Sequence, residues 1–365
     1  MQERKPILFP VFFLLVLALA LALFIVLPRQ AYSPLEKRFL AQPPRFSMEG
    51  GQFSQDFEAY AGDVFPLREQ WVGLNAAARQ LFGLNITGEV WRMQDGSLAE
   101  APLGAQPRLA RNLGILEDFA GMAGIDTRVM VVPHGGAVNT AGGPYAYPDR
   151  AIIQGAEEMA PGLVFIDVVT PFVSAGRPLY YRTDPHWNVD GAHLAYTEAA
   201  KALGFEPKPL EWFAVEHSEG FYGSAYARSG LWRTKPDTLG LIDPGVPVKL
   251  TFDGREEAFD SLYFKEHLSQ PDQYPVFLDG NHGLTVIENL ERAEGSHLVV
   301  LKDSFGNSLV PFLVNHYRTI SVVDPRAYRG SLQTYIRDQG VDQALVVYSL
   351  HNLGTDTNLG FLTSR

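Results

Sequence analysis

The chain has 365 residues, 46% of them apolar and 19% charged, enough for a large core in one or two domains. A formal charge of −11, from 41 acidic and 30 basic side chains, excludes the basic face that a general nucleic-acid binder needs. With no cysteine, disulfides, thiolate metal sites and cysteine nucleophiles are excluded too.

Ile7–Leu27 is an apolar run of 21 residues, interrupted only by Pro10 near its start. At ~1.5 Å rise per residue, about 20 residues cross a bilayer core. Arg4 and Lys5 precede the run as a cytoplasmic flank should, while Arg29, Lys37 and Arg38 follow it. The run exceeds the ~7–15 apolar residues of a cleaved signal and ends in Phe24-Ile25-Val26-Leu27-Pro28, without a clean small-residue cleavage site. Residues 1–28 therefore read as a cytoplasmic tip and retained signal anchor, with a cleaved signal as the alternative. Either reading places the rest of the chain outside the cytoplasm, as a single-pass protein of the cell membrane in the first case.

Residues 29–108 read as a helical and linker region packed on the domain that follows. Phe53, Phe57, Tyr60 and Phe65 fall near helical spacing within Ser47–Phe65 and predict a short amphipathic helix. A second helix is predicted over Glu69–Phe82, its stripe of Trp71, Leu74, Ala77 and Leu81 facing the core. Asp95-Gly96, between the apolar flanks of Glu89–Leu98, is a hairpin signal.

From 109 to 365 the pattern is that of an α/β domain. Leu109–Ala123 is a helix by its Leu113, Leu116, Phe119 and Ala120 spacing, and Arg128–Pro133 and Leu163–Val169 are continuous apolar runs of the kind found in buried parallel strands. Gly191–Leu203 is a further helix. Residues 205–295 are rich in Gly, Pro and turn signals and read as an irregular, β-containing insertion over a site. Order returns with a β-α-β-α-β run: strand His297–Lys302, helix Gly306–Tyr317 with Pro311 in its first turns, strand Thr319–Val323, helix Ser331–Gln339 capped by Gly340, and strand Ala344–Tyr348. Ligands of such sheets sit at the carboxyl ends of the strands.

Two stretches carry candidate chemistry. Asp184-Pro185-His186-Trp187 places an acid and a histidine two apart, so an extended segment turns both to one face. An acid that orients a histidine supplies two members of a nucleophilic triad. Ser304 supplies the third: it sits between a strand and a helix N-terminus, where backbone N–H groups stabilise an oxyanion. The G-x-S-x-G elbow is absent. The plainer readings are that Asp303 or Ser304 caps the helix, and that Asp184 caps the next helix or pairs with Arg182. A metal set of Asp184, His186 and His193 has poor spacing, so no metal or other cofactor is expected. His134, His282 and His351 stand as isolated histidines beside glycines or asparagine. Tyr181, Trp187, Tyr222 and Phe305 near the motifs are candidate sugar platforms, with core packing as the plainer role.

The segment YYRTDPHWNVDGAHLAY resembles the signature of the DHHW protein family, and LKDSFGNSLVPFL resembles that family's serine motif. EKRFLAQPPRFS, QDFEAYAGDVFPLREQW, FYGSAYARSG, KPDTLGL and VFLDGNHGL extend the likeness through most of the chain after the anchor. The family is related to the SGNH-hydrolase-like proteins of alginate O-acetylation. The resemblance implies a three-layer α/β/α sandwich with a mostly parallel sheet, exported to the cell surface. It implies a Ser-His-Asp triad that transfers or removes acetyl groups on polysaccharide, with Ser304 as nucleophile, His186 as base and Asp184 as orienting acid. Two departures stand out: the family's first histidine is Pro185 here, and the SGNH-type Gly-Asp-Ser is Lys302-Asp303-Ser304. By the same resemblance Gly280 and Asn281 are oxyanion-hole candidates, with Asn307 and Asn352 competing and a structural turn role for Asn281 as the alternative; Arg182, Trp187 and Tyr222, near the motifs, are substrate-binding candidates. The implied partners are a cell-surface polysaccharide, an acyl donor and, by analogy, a membrane acyl exporter. A non-catalytic carbohydrate-binding or assembly protein on the same fold is the alternative function.

Overall fold

Continuous apolar runs build the centre of the molecule, because strands buried on both faces need an apolar residue at nearly every position. The computed structural model describes residues 8–26, 29–45, 51–84, 86–102, 104, 106–139 and 146–363. Arg4, Lys5 and the predicted helix start at Ser47 lie outside the described residues. Contacts divide the chain into two compact units, residues 1–87 with 230–232, and 88–229 with 233–365.

Among the described residues the first unit holds three helices, α1 (Leu8–Val26), α2 (Gln52–Asp63) and α3 (Arg68–Leu81). Helix α1 is long and apolar enough to cross a membrane, and none of its described side chains is buried, a profile that an anchor and a signal sequence share. Arg38 binds Asp63 through both terminal guanidinium nitrogens and binds Glu36 through Nε, tying the segment after α1 to the end of α2. The stripe assigned to the core of α3 is instead exposed, with Trp71 at 53%, Leu74 at 58% and Leu81 at 83%. The buried face is the small-residue one: Ala76 is enclosed, and Gly73 and Ala76 pack against Gly230 and Trp232.

The second unit is organised on an eight-stranded sheet. In chain order its strands are β1 (Asp126–Val132), β2 (Val164–Phe165), β3 (Val248–Phe252), β4 (Ala258–Phe259), β5 (Leu284–Asn289), β6 (His297–Lys302), β7 (Thr319–Val323) and β8 (Gln343–Ser349). Their spatial order is β4-β3-β5-β7-β6-β8-β1-β2. The four pairings from β7 to β2 are parallel and the three from β4 to β7 are antiparallel. Alternate residues of the central strands point to opposite faces. Leu298, Val300, Leu345 and Val347 meet α6 (Val189–Leu203) and α7 (Phe305–Leu313) on one side. Val299, Leu301, Ala344 and Val346 meet α4 (Leu109–Ala123), α5 (Asp149–Met159) and α8 (Leu332–Gln339) on the other. The result is the expected three-layer α/β/α sandwich with a mostly parallel sheet.

Three local expectations are corrected. The run Leu163–Val169 pairs only at Val164–Phe165, because the Asp167 carboxylate accepts the Thr170 amide at 3.0 Å and a short helix starts at Val169. The 205–295 region is more regular than an irregular cover: it supplies β3, β4 and β5 to the sheet and forms a separate hairpin, Ala214–Phe221 with Asp237–Asp243. Pro311 falls near the end of α7, not in its first turns, and the helix stops two residues later at Leu313. The Asp95-Gly96 hairpin forms as expected, with Trp91 opposite Ala99.

Candidate active site

β6 ends at Lys302, and the chain turns through Asp303 and Ser304 into α7. Asp303 does the capping: its Oδ1 accepts the Phe305 amide at 3.0 Å, while Oδ2 accepts the Ser349 amide and Asn352 Nδ2, each at 2.8 Å. Those bonds also tie the β6–α7 turn to the end of β8. Ser304 makes no side-chain cap, so its hydroxyl is available elsewhere. It lies 2.7 Å from His186 Nε2, a residue 118 positions earlier.

The His186 loop is held from several sides. Tyr180 and Trp187 form a β-bridge, and the Tyr181 amide donates to the His186 carbonyl at 3.1 Å. Asp184 Oδ1 accepts the His186 amide at 3.1 Å and His186 Nδ1 at 2.5 Å, and Oδ2 accepts the Ser224 amide at 2.9 Å. Burial alone would raise the Asp184 carboxyl, but the adjacent imidazole and the donated hydrogen bonds outweigh it and hold the group below the ordinary carboxylate range. An ionised carboxylate only accepts, so Nδ1 carries the ring proton and Nε2 presents its lone pair to the Ser304 hydroxyl. Asp237, unnoticed in the sequence, clamps the same loop by accepting the Arg182 and Thr183 amides and the Thr183 hydroxyl at 2.5–2.8 Å. Gly223 is required here by contact: a Cβ at that position would lie 2.1 Å from the Asp184 Cβ.

The imidazole is enclosed by two rings. Tyr274 stacks on it with ring centres 4.0 Å apart and planes 13° apart, and Phe305 tilts over it at 4.7 Å. Tyr274 Oη reaches the Ser304 carbonyl and Ser308 Oγ, each at 3.3 Å, and Trp187 Nε1 donates to Ser308 Oγ at 2.8 Å. Burial pushes the Tyr274 hydroxyl well above its usual range, so it stays protonated. Tyr274 lies outside the quoted motifs, and Ser308, though within LKDSFGNSLVPFL, carries no assigned role there. Only the placement of the 205–295 region over a site pointed towards Tyr274.

Ser304, His186, Asp184 and Pro185 open into a cavity of about 900 Å³ that is also lined by Arg182, Asp237, His134, Ser349, His351 and Asn352. The volume lies near the top of the ~300–1,000 Å³ usual for small-molecule sites. The other sequence candidates divide. Arg182 lies on the cavity wall. Trp187 is completely buried, wedged between Phe172 and Phe305, and offers no face to a sugar. Tyr222 packs at a tilt on Tyr226, with ring centres 4.3 Å apart, and is not among the cavity-lining residues. Gly280 and Asn281 also lie off the lining: the Gly280 carbonyl and Asn281 Oδ1 accept Asn307 Nδ2, and Asn281 Oδ1 accepts Lys302 Nζ at 2.6 Å. Lys302 is fully enclosed behind the serine turn, and burial, partly offset by Asp324, pulls its amine down to about 8. Asp184, His186 and His193 do not form a metal set, since the first two bind each other and His193 Nε2 donates to the Lys208 carbonyl at 2.9 Å. His134 and His351, taken singly in the sequence, are brought together with Glu100.

Solved structures share this fold. A DHHW family protein from Eubacterium siraeum superposes with a TM-score of 0.69 at 24% identity, over 77% of this chain and 98% of that one. Bacillus cereus PatB1, in a structure with a sulfonyl adduct, gives 0.62 at 18% identity, over 74% of this chain and 98% of its own. Another structure of PatB1 gives 0.60 at 18% identity, over 73% and 97%. At these identities the likeness is one of fold. No curated protein matches the sequence. The sequence model of the family described as DHHW protein matches residues 173–323, the span that contains Asp184, His186 and Ser304, so the resemblance carried by the two motifs holds.

Proposed function

We propose that the chain is a membrane-anchored, extracytoplasmic acyl-transfer enzyme, an O-acetyltransferase or acetylesterase of a cell-surface polysaccharide. One observation carries the reading: Ser304 Oγ and Asp184 Oδ1 occupy the two ring nitrogens of one histidine, at 2.7 Å and 2.5 Å, from distant parts of the chain. This is the arrangement that nucleophilic acyl transfer uses. His186 Nε2 takes the Ser304 proton as Oγ attacks the acyl carbonyl, and Asp184 steadies the resulting imidazolium. Collapse breaks the bond to the donor's leaving oxygen, which takes the proton back from His186 and leaves an acyl-serine. A sugar hydroxyl or a water then loses its proton to His186, attacks the acyl carbon and restores Ser304.

The oxyanion needs donors that face the cavity. The Ser304 amide at the start of α7 is one. Asn352 lines the cavity and uses one Nδ2 hydrogen on Asp303, which leaves the second for the oxyanion. These two suit the role better than Gly280 and Asn281. Arg182 at the rim suits an acidic or hydroxyl-rich saccharide. Helix α1 is read as the retained anchor, and a membrane partner that exports acyl groups as the source of the donor. The test is hydrolysis of an activated acetyl ester by the full-length chain in detergent. Ser304→Ala and His186→Ala are each expected to lower kcat by at least about a thousandfold. Rates equal to wild type would exclude acyl transfer and favour a carbohydrate-binding role.

A further inference from the structure

The cavity wall beyond the ends of β1 and β8 carries a second histidine–carboxylate pair that acyl transfer does not use. His134 follows β1 and His351 follows β8. These strands pair in parallel with Val132 opposite Ser349, so each histidine lies two residues beyond a paired position, at the carboxyl edge of the sheet. Glu100, at the end of the Asp95-Gly96 hairpin, closes the group. One ligand atom from each of the three lies within 4.8 Å of the others.

We propose that Glu100, His134 and His351 bind a divalent transition-metal ion of the zinc class. The state of His134 points to a ligand. Asp149 Oδ1 accepts both its amide and its Nδ1 hydrogen, each at 2.7 Å, which fixes the tautomer and turns the Nε2 lone pair towards the cluster. His134 is only 8% exposed, and Nε2 has no hydrogen-bond partner among the described residues. A buried acceptor left without a donor is destabilising. A metal ion satisfies that lone pair, and a carboxylate on the far ring nitrogen is the usual support of a metal-binding histidine. Arg228 pairs with Glu100 through Oε1, so Oε2 is the oxygen available to the ion. His351 is exposed, and rotation of its side chain can bring the three atoms to the ~2.0–2.2 Å bond lengths of zinc. Two imidazoles and one carboxylate match the three-ligand zinc set with an open fourth position, and suit Mg²⁺ or Ca²⁺ poorly. All three residues line the cavity, so an oxygen of whatever occupies it would complete the set. Binding requires nothing of Ser304 and stands apart from the acyl-transfer reading.

The experiment is equilibrium dialysis of the chelator-stripped full-length chain, in detergent, against Zn²⁺ with excess Mg²⁺ present. One zinc per chain is expected for wild type and for Ser304→Ala. His351→Ala, which alters an exposed side chain, and Glu100→Gln should each weaken binding at least tenfold, and Asp149→Asn by about 10–100-fold. Cobalt substitution should give the visible absorption of a four-coordinate site in wild type and lose it in His351→Ala. Failure to take up one equivalent of zinc, or equal uptake and unchanged cobalt spectra in the His351→Ala and Glu100→Gln variants, would overturn the assignment.

Discussion

At the scale of single residues, the account rests on the two nitrogens of His186 having different partners. Asp184→Asn replaces an obligate acceptor with an amide that can donate to Nδ1, which turns the tautomer around and leaves Nε2 protonated against the Ser304 hydroxyl. Activity is expected to fall on the order of 10⁴-fold, the loss seen when such an acid is amidated in another triad, while circular dichroism stays unchanged. Gly223→Ala tests the same geometry without replacing a triad residue. Its methyl would overlap the Asp184 side chain, which cannot retreat because its carboxylate is held by His186 and the Ser224 amide. Esterase activity should drop at least about tenfold, the effect of a displaced catalytic group. Wild-type rates in either variant would mean that the 2.5 Å contact has no catalytic role.

At the scale of elements, Asp303 is the joint between the β6–α7 turn and the β8 end. It is completely buried and its carboxylate accepts three hydrogen bonds, so Asp303→Ala leaves donors from both elements unpaired. A loss of roughly 2–4 kcal/mol in urea unfolding is expected, from the lost cap and the orphaned donors together. A loss under about 0.5 kcal/mol would show that the joint is dispensable. The elements themselves were largely legible: Leu109–Ala123 and His297–Lys302 form over the residues their periodicity marked. Long apolar stretches with clear stops leave one option. The α3 stripe was misread because a helical period shows that a face exists, not that anything covers it; small Gly73 and Ala76 permitted the close contact instead. Strands β3 and β5 were hidden by surrounding turns, and antiparallel edge pairing has no local signature. Within the site, Asp184, His186 and Ser304 were readable from motif chemistry. Tyr274, Asp237 and the His134–His351–Glu100 group were not, since only the fold makes them neighbours.

At the scale of the whole molecule, acid should loosen the fold before it neutralises Asp184. His316 packs on Phe205 and bonds to Tyr196; burial, with Arg292 and Lys208 nearby, lowers its imidazole to about 4. The unfolded chain, with ordinary histidines near ~6.5, therefore takes up this proton first as pH falls. The stability from His316 is complete above about pH 6.5 and is lost as pH falls from there towards about 4. His297, also lowered by burial, acts in the same direction. Asp184 adds a loss at lower pH, as its depressed carboxyl is finally protonated. The urea midpoint is expected to fall between about pH 7.5 and 4.5, and His316→Gln to reduce that fall. An identical pH dependence in the variant would remove His316 from the account. The central claim, that Ser304 is the nucleophile, is tested most directly by intact-mass and peptide mass spectrometry of the full-length chain after brief exposure to an activated acetyl ester at mildly acidic pH. The account predicts a single added acetyl group located on Ser304, absent in Ser304→Ala and in His186→Ala. Acetylation at other residues only, or equal labelling in the Ser304→Ala variant, would contradict it.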